Sequence, residues 1–161
     1  MAKSGTSDTA ERRNNQIFEK DAFLLFKHWR KQTATEWYKT YAEEKGKKYY
    51  QIQQELGETP WHYGKGFNNA ETRLLNRLVA GHDFSPHWLA IMKIVHQGSC
   101  EICDEENTAE HIILNCVKYD HERTKYSFEG RFRTLVELFQ KRDVHLYKEV
   151  CEFIKVCKLE L

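Results

Sequence analysis

The sequence has no apolar run that approaches the ~18 residues of a membrane-spanning helix. The stretch from Met1 to Lys20 is polar and lacks the apolar centre of a secretory signal peptide. From these two absences we expect a protein without a membrane partner, in a reducing compartment, either the nucleus or the cytoplasm.

Sequence motifs of catalysis are also missing. The chain has no Gly-rich phosphate loop and no nucleophile motif. Acid–base chemistry would need two carboxylates in separable environments, and the one acidic cluster, Asp104 to Glu106, falls in a predicted solvated turn. We therefore predict that the protein is not an enzyme.

The net charge, +1 over 161 residues, is too small to indicate a partner. Its distribution is uneven: residues 1–50 hold eleven basic and seven acidic side chains, whereas residues 100–130 hold three basic and eight acidic ones. With 40% apolar and 13% aromatic residues, the composition is typical of one folded, highly charged domain.

Four residues in the acidic segment form the most informative pattern: Cys100, Cys103, His111 and Cys116, spaced C-x2-C-x7-H-x4-C. Three thiols and an imidazole are a complete ligand set for tetrahedral zinc, with no position left for water or substrate. The alternatives are buried cysteines beside an exposed histidine, or C-x2-C redox chemistry, which lacks its usual strand–turn–helix context. His96 and His121 flank the set as substitute ligands or as surface histidines.

Apolar residues recur at helical spacing through most of the chain, which predicts a mostly α fold. We expect a helix from Asn15, a second beginning at Thr33 or Thr35 and ending near Gly46, then a strand or a helical turn over 47–56. Residues 57–67 contain three glycines and Pro60, which predicts a loop whose aromatic residues pack.

Capping signals predict the later helices. Asn68 or Asn69 begins one that Gly81 ends, and Ser85 with Pro86 begins another that stops at Gly98. Further helices are expected from Thr108 as far as Tyr126, from Phe128 to Phe139, and from Asp143 onward. Because His111 and Cys116 are five positions apart, either the helix is locally distorted or Cys116 lies to one side of the site.

The predicted organisation has three parts. Residues 1–14 are a flexible tail, 15–66 hold the N-terminal helices and the aromatic loop, and 67–161 form a small helical domain containing the zinc-stapled turn and helix at 100–116.

The order of features resembles a known family. Arg73-Leu-Leu-Asn-Arg77 leads to Gly81-His82, an apolar helix, Cys100-Glu-Ile-Cys103, Thr108-Ala-Glu-His111 and Cys116, with Tyr119 and Arg123 beyond. This resembles the zinc-knuckle tail that follows the ribonuclease H domain in reverse transcriptases of insect-type non-LTR retrotransposons. The resemblance covers residues 70–125 and, loosely, 33–69; Val117 stands where the family usually has proline, and polymerase motifs are absent.

The resemblance implies binding of RNA or DNA, in an element or in a domesticated host derivative. Because the zinc segment is acidic and repels phosphates, we place the predicted contact elsewhere. Basic residues interleaved with aromatic ones suit single strands. The candidate residues are Lys39, Lys45, Lys47, Lys48, Tyr49, Arg73 and Arg77.

The alternatives to nucleic-acid binding remain open. Residues 37–50 are equally consistent with a solvated helix whose aromatic side chains face the core. Arg73 and Arg77 are consistent with ion pairs to the acidic segment 101–110. The competing function is that of an adaptor that binds another protein. A homodimer formed through the aromatic N-terminal helices is a further alternative.

Overall fold

The computed structural model describes residues 18–161. The chain divides into two compact units, Met1–Thr40 and Tyr41–Leu161. The predicted tail, 1–14, lies outside the described residues, and the division between 66 and 67 stays a prediction. Within 18–161, no helix combines the length and the apolar character needed to cross a membrane.

The fold is mostly α, as predicted, and the described residues contain one isolated β-bridge, between Ser99 and Glu106. The helices are α1 (Glu19–Glu44), α2 (Lys47–Ile52), α3 (Asn69–Ala80), α4 (Pro86–Ile91), the π segment (His111–Asn115), the 3₁₀ turn (Val117–Tyr119), α5 (Asp120–Arg123), α6 (Leu135–Gln140) and α7 (Val144–Val156).

Helix α1 is one continuous helix, so the prediction of a second helix starting at Thr33 or Thr35 was wrong. Thr35 does not cap a new helix, because its hydroxyl donates to the carbonyl of Lys31 one turn back. No proline or glycine interrupts the segment. The end near Gly46 is confirmed, since Gly46 has φ of +70°.

Three predicted helix starts are confirmed by their caps. Asn68 accepts hydrogen bonds from the amides of Ala70 and Glu71, and Glu71 bonds back to the amide of Asn68. Ser85 caps α4, with Pro86 as its first residue. Asp143 caps α7 through the amide of His145. The ambiguous stretch after Gly46 forms the helical turn α2.

Three predicted helices are shorter than expected. Helix α4 ends at Ile91 rather than Gly98, because Lys93 adopts φ of +60° and turns the chain. The helix from Thr108 does not reach Tyr126, since Cys116 is extended. The helix predicted over 128–139 is reduced to α6, because Gly130 adopts φ of +64° and Thr134 caps a new start.

The second unit has one apolar core. Helix α3 packs against α2, α6 and α7, and the π segment packs against α7. The predicted loop at 57–67 is confirmed, and its Trp61 and Phe67 pack against the core. The side chains fully enclosed there are Leu75, Leu78, Ile113, Phe128, Leu135, Leu138, Phe139, Val150 and Phe153. The π segment is thereby fixed from one side by the core.

Candidate metal centre

A tight turn holds the first two cysteines. The backbone N–H of Cys100 donates to the carbonyl of Glu105 at 2.7 Å, and that of Asp104 donates to the carbonyl of Cys100 at 2.9 Å. Asp104 takes φ of +56°, which short polar side chains tolerate better than most. The turn leaves Cys100 buried and Cys103 half-buried.

Backbone amides point at the sulfur of Cys100. Hydrogen bonds from the N–H groups of Cys103 and Ile102 lower the pKa of the Cys100 thiol to about 6. Donors of this kind stabilise a thiolate, which is the form that binds a metal. Burial has the opposite effect at Cys116 and raises the pKa of its thiol to about 11, partly offset by the N–H of Lys118.

The other two side chains come from the first residue of the π segment, His111, and from Cys116 directly after it. The wider turn of the segment is closed by the N–H of Cys116, which donates to the carbonyl of His111 at 2.7 Å. In an α-helix, residues five apart diverge around the axis, whereas a π turn brings them together. The local distortion expected from the five-residue spacing is therefore what the structure contains.

The four predicted residues meet at one point. Their ligand atoms all lie within 4.8 Å of one another, and the Sγ atoms of Cys100 and Cys116 are 3.7 Å apart. Bonds of about 2.0–2.3 Å at tetrahedral angles separate ligand atoms by roughly 3.5–3.8 Å. The Sγ atoms of Cys100 and Cys116 already have this separation, whereas a disulfide would need an S–S distance of about 2.05 Å. The arrangement fits a tetrahedral ion.

His111 has the environment of a metal ligand. Its ring is 5% exposed, and neither ring nitrogen has a hydrogen-bond partner. An unpaired buried polar atom costs about 1–3 kcal/mol, which coordination would remove for one nitrogen. A Glu105 carboxylate oxygen lies 3.0 Å from Nδ1, although not in hydrogen-bond geometry. Ligating imidazoles commonly face a carboxylate on their other nitrogen.

Arg123 supports the centre, a role that sequence reasoning missed. It is 3% exposed, and its guanidinium donates to the carbonyls of Ile113 (2.9 Å), Ile112 (3.3 Å) and Cys116 (2.7 Å). A carboxylate oxygen of Asp120 accepts from the same group. Because a π turn and an extended Cys116 leave carbonyls unpaired by the helix, Arg123 fixes the segment that carries two ligands.

The flanking residues lie outside the cluster. His96 and His121 are exposed, in agreement with the surface interpretation, and the four-residue group contains neither. Cys151 is buried in the core cluster, where burial raises the pKa of its thiol to about 12. Cys157 lies half-buried beside the core. Neither belongs to the metal group.

The predicted nucleic-acid residues have mixed surroundings. Lys39, Lys45, Lys47 and Arg73 are exposed, and Tyr49 packs against the core. Burial lowers the pKa of Lys48, and the nearby Asp83 and Glu110 partly offset this effect. The guanidinium of Arg77 lies 4.1 Å from the ring centre of Phe84. Among the described residues, neither Arg73 nor Arg77 forms an ion pair with the acidic segment 101–110.

Tyr49 also lines a cavity of about 620 Å³ beside the loop 57–66. We call it the aromatic cavity; its aromatic and basic lining residues are Tyr49, Trp61, His62, Tyr63, Lys65, Arg142 and Tyr147. Burial raises the pKa of Tyr49 and Tyr147, the latter to about 12, and the charge of Arg142 opposes both shifts. Arg142 thus lines the same cavity as both rings. Glu55 and Glu58 line the same cavity.

No family model, curated protein or solved structure matches this chain. What the molecule does must therefore be argued from its own residues. Those residues establish a mostly helical fold with a Cys3His group suited to a metal ion.

Proposed function

We propose that this chain is a non-catalytic helical module that one Zn²⁺ ion holds together and that binds single-stranded RNA or DNA. Cys100, Cys103, His111 and Cys116 would hold the ion. Thiolate-rich sets with one imidazole favour zinc over magnesium or calcium, which prefer oxygen ligands.

The proposed role of the ion is structural. Four protein ligands complete a tetrahedral shell, and closed shells stabilise folds without activating water. The ion would tie the 100–105 turn to the π segment, which the core and Arg123 already fix from the other side. Metal binding at such small sites contributes on the order of 10 kcal/mol.

The aromatic cavity carries the proposal of nucleic-acid binding. Its volume, about 620 Å³, is within the usual range of ligand pockets and admits a nucleobase. Tyr63 is 74% exposed, so one aromatic face is accessible for stacking. Lys65 and Arg142 can meet the phosphates of a strand whose base enters the cavity. Arg142 has φ of +52°, a strained conformation in which glycine or asparagine is favoured.

The test is fluorescence anisotropy with labelled oligouridine and oligothymidine of about 12 nucleotides over a salt series. Since base stacking is worth ~1–3 kcal/mol, Tyr63→Ala should weaken binding by about 5- to 150-fold, and Tyr63 lies outside the core. Lys65→Gln with Arg142→Gln should reduce the slope of log K against log salt by about 1.4. Lys155→Gln, an exposed charge on α7, is the control and should change little.

Two outcomes would contradict this proposal. Absence of salt-dependent binding at low ionic strength would exclude the function itself. If Lys39→Gln, Lys45→Gln and Lys47→Gln weaken binding while Tyr63→Ala does not, the contact lies at the residues first predicted from sequence and not at the cavity.

A protein-binding adaptor is the second candidate, and helix α1 favours it. Phe23, Leu24 and Trp29 are each about three-fifths exposed, with values of 67%, 61% and 59%. Large apolar side chains clustered on a surface mark sites of protein association. Kinship with the retrotransposon tail would suit either candidate and stays a hypothesis.

A further inference from the structure

The N-terminal half of α1 exposes an unusual amount of apolar surface. Five of its side chains, together with Phe18 directly before it, are between 55% and 70% exposed: Phe18, Phe23, Leu24, Leu25, Phe26 and Trp29. We call these six the apolar belt. All of them belong to the first unit of the chain, and they take no part in the apolar core described above.

The belt surrounds the helix instead of following one side. Phe23 to Phe26 are consecutive, and successive residues of an α-helix turn by about 100°, so four of them cover the whole circumference. A flat surface such as a membrane buries one face only, and interfacial helices accordingly separate apolar from polar faces. A second helix packs against a helix without this separation of faces, and it buries the side of the belt that it contacts. The charges on that side must therefore identify the partner.

The exposed apolar area of the belt is large. Side chains of this size bury roughly 200 Å² each, and six of them at about three-fifths exposure present roughly 700 Å². A standard interface buries about 800 Å² on each partner. A pair of helices buries only the side of the belt that faces the partner, so a stable dimer also needs contacts along the rest of α1.

The charges beside the belt determine its orientation. Glu19, Phe23, Phe26 and Arg30 are spaced by four, three and four positions, so they lie along one seam of α1. In an antiparallel pair centred between Leu24 and Leu25, Phe23 meets the partner's Phe26, and Glu19 meets the partner's Arg30. A parallel pair in register would place Glu19 against Glu19 and Arg30 against Arg30, which is repulsive.

We infer that two copies of this chain associate through α1 as an antiparallel pair, with twofold symmetry and with the apolar belt at the centre. A symmetric pair uses the same patch on both copies, so each favourable contact occurs twice. This interface is independent of the proposed nucleic-acid site, whose residues lie in the second unit.

Sedimentation equilibrium of the full metal-loaded chain tests the pairing. The protein should sediment at twice its 19.2 kDa mass at micromolar concentration. Phe26→Glu should weaken association by more than about 100-fold, because it places two charges at the apolar centre. Ile94→Glu, a substitution at a 68% exposed residue of the second unit, is the matched control and should leave the dimer intact.

Charge exchange tests the orientation. Glu19→Arg and Arg30→Glu should each weaken the dimer by up to about tenfold, and the double exchange should restore it. In a parallel pair each of these residues faces its own copy, so either single change replaces one like-charged pair with another. A dimer whose affinity changes in neither variant would therefore overturn the antiparallel arrangement. Circular dichroism and metal content should stay constant in every variant, because the belt lies outside the core.

The inference would be overturned if the protein remained a 19.2 kDa monomer at about 100 µM. That concentration is above the dissociation constants of stable dimers. A dimer indifferent to Phe26→Glu would overturn the inference as well. In either case the belt serves another protein or another segment of the chain, and the nucleic-acid proposal is unaffected.

Discussion

Arg123 makes the most specific connection between the core and the metal centre, and replacing it tests whether that connection matters. Arg123→Lys keeps the positive charge but loses the planar fork of donors. The carbonyls of Ile112, Ile113 and Cys116 currently share this guanidinium, and all three residues are at most 3% exposed. A lysine ammonium cannot reach all three in that geometry.

The magnitude follows from the unpaired carbonyls. Each buried carbonyl left without a donor costs about 1–3 kcal/mol, so Arg123→Lys should reduce the free energy of unfolding by about that amount. Arg123→Met leaves all three carbonyls without this donor and should cost at least about 3 kcal/mol. Zinc affinity should fall at least ~10-fold in both variants, as it does when residues that orient metal ligands are replaced.

Urea unfolding of the metal-loaded protein and competition with a chromogenic chelator measure these two effects. Arg131→Lys is the matched control, because its guanidinium makes a single hydrogen bond, to the carbonyl of Ser127, from an exposed position. Its effect should stay within about 0.5 kcal/mol. If Arg123→Lys leaves both unfolding and zinc affinity as they are in the unmodified protein, Arg123 does not support the metal centre.

Three further predictions concern other contacts. Gly98→Ala should destabilise the protein by about 1–3 kcal/mol in thermal melts, since a Cβ there would lie 2.9 Å from the Cβ of Ala90; an unchanged melting temperature would contradict this. Glu105→Gln should weaken zinc binding by about 10-fold with little change in metal-free stability, and equal affinity would exclude a role for that carboxylate. Burial raises the pKa of Cys151 to about 12 from 9.0. Its contribution to the free energy of unfolding should therefore be complete below pH 9 and decline as the pH rises towards 12. Cys151→Ala should reduce the loss of stability that urea unfolding measures at alkaline pH, and it should leave zinc stoichiometry at one.

Features fixed by neighbouring residues were predictable from the sequence. The capping box at Asn68 and Glu71 spans only four positions of the chain, and Ser85 followed by Pro86 spans two. The C-x2-C turn with His111 and Cys116 is equally local. Their chemistry is specific enough that no knowledge of distant contacts was required.

Features that depend on distant contacts were not predictable. Arg123 lies ten residues from the Ile113 carbonyl to which it donates, and no sequence pattern indicates that bond. The helix predicted from Thr108 was too long, because the apolar periodicity does not reveal where a π turn and an extended Cys116 interrupt the helix. Lys48 was predicted as a phosphate contact, yet its surroundings include Asp83 and Glu110 from elsewhere in the chain.

We expect one ion to join the turn beginning at Cys100 to His111 of the π segment and to Cys116 directly after it. Elemental analysis of the purified full chain, with melting followed before and after chelation, tests it most directly. The account predicts one zinc per chain and a large fall in melting temperature when the zinc is removed. Purified protein without stoichiometric zinc, or melting that chelation does not alter, would contradict it.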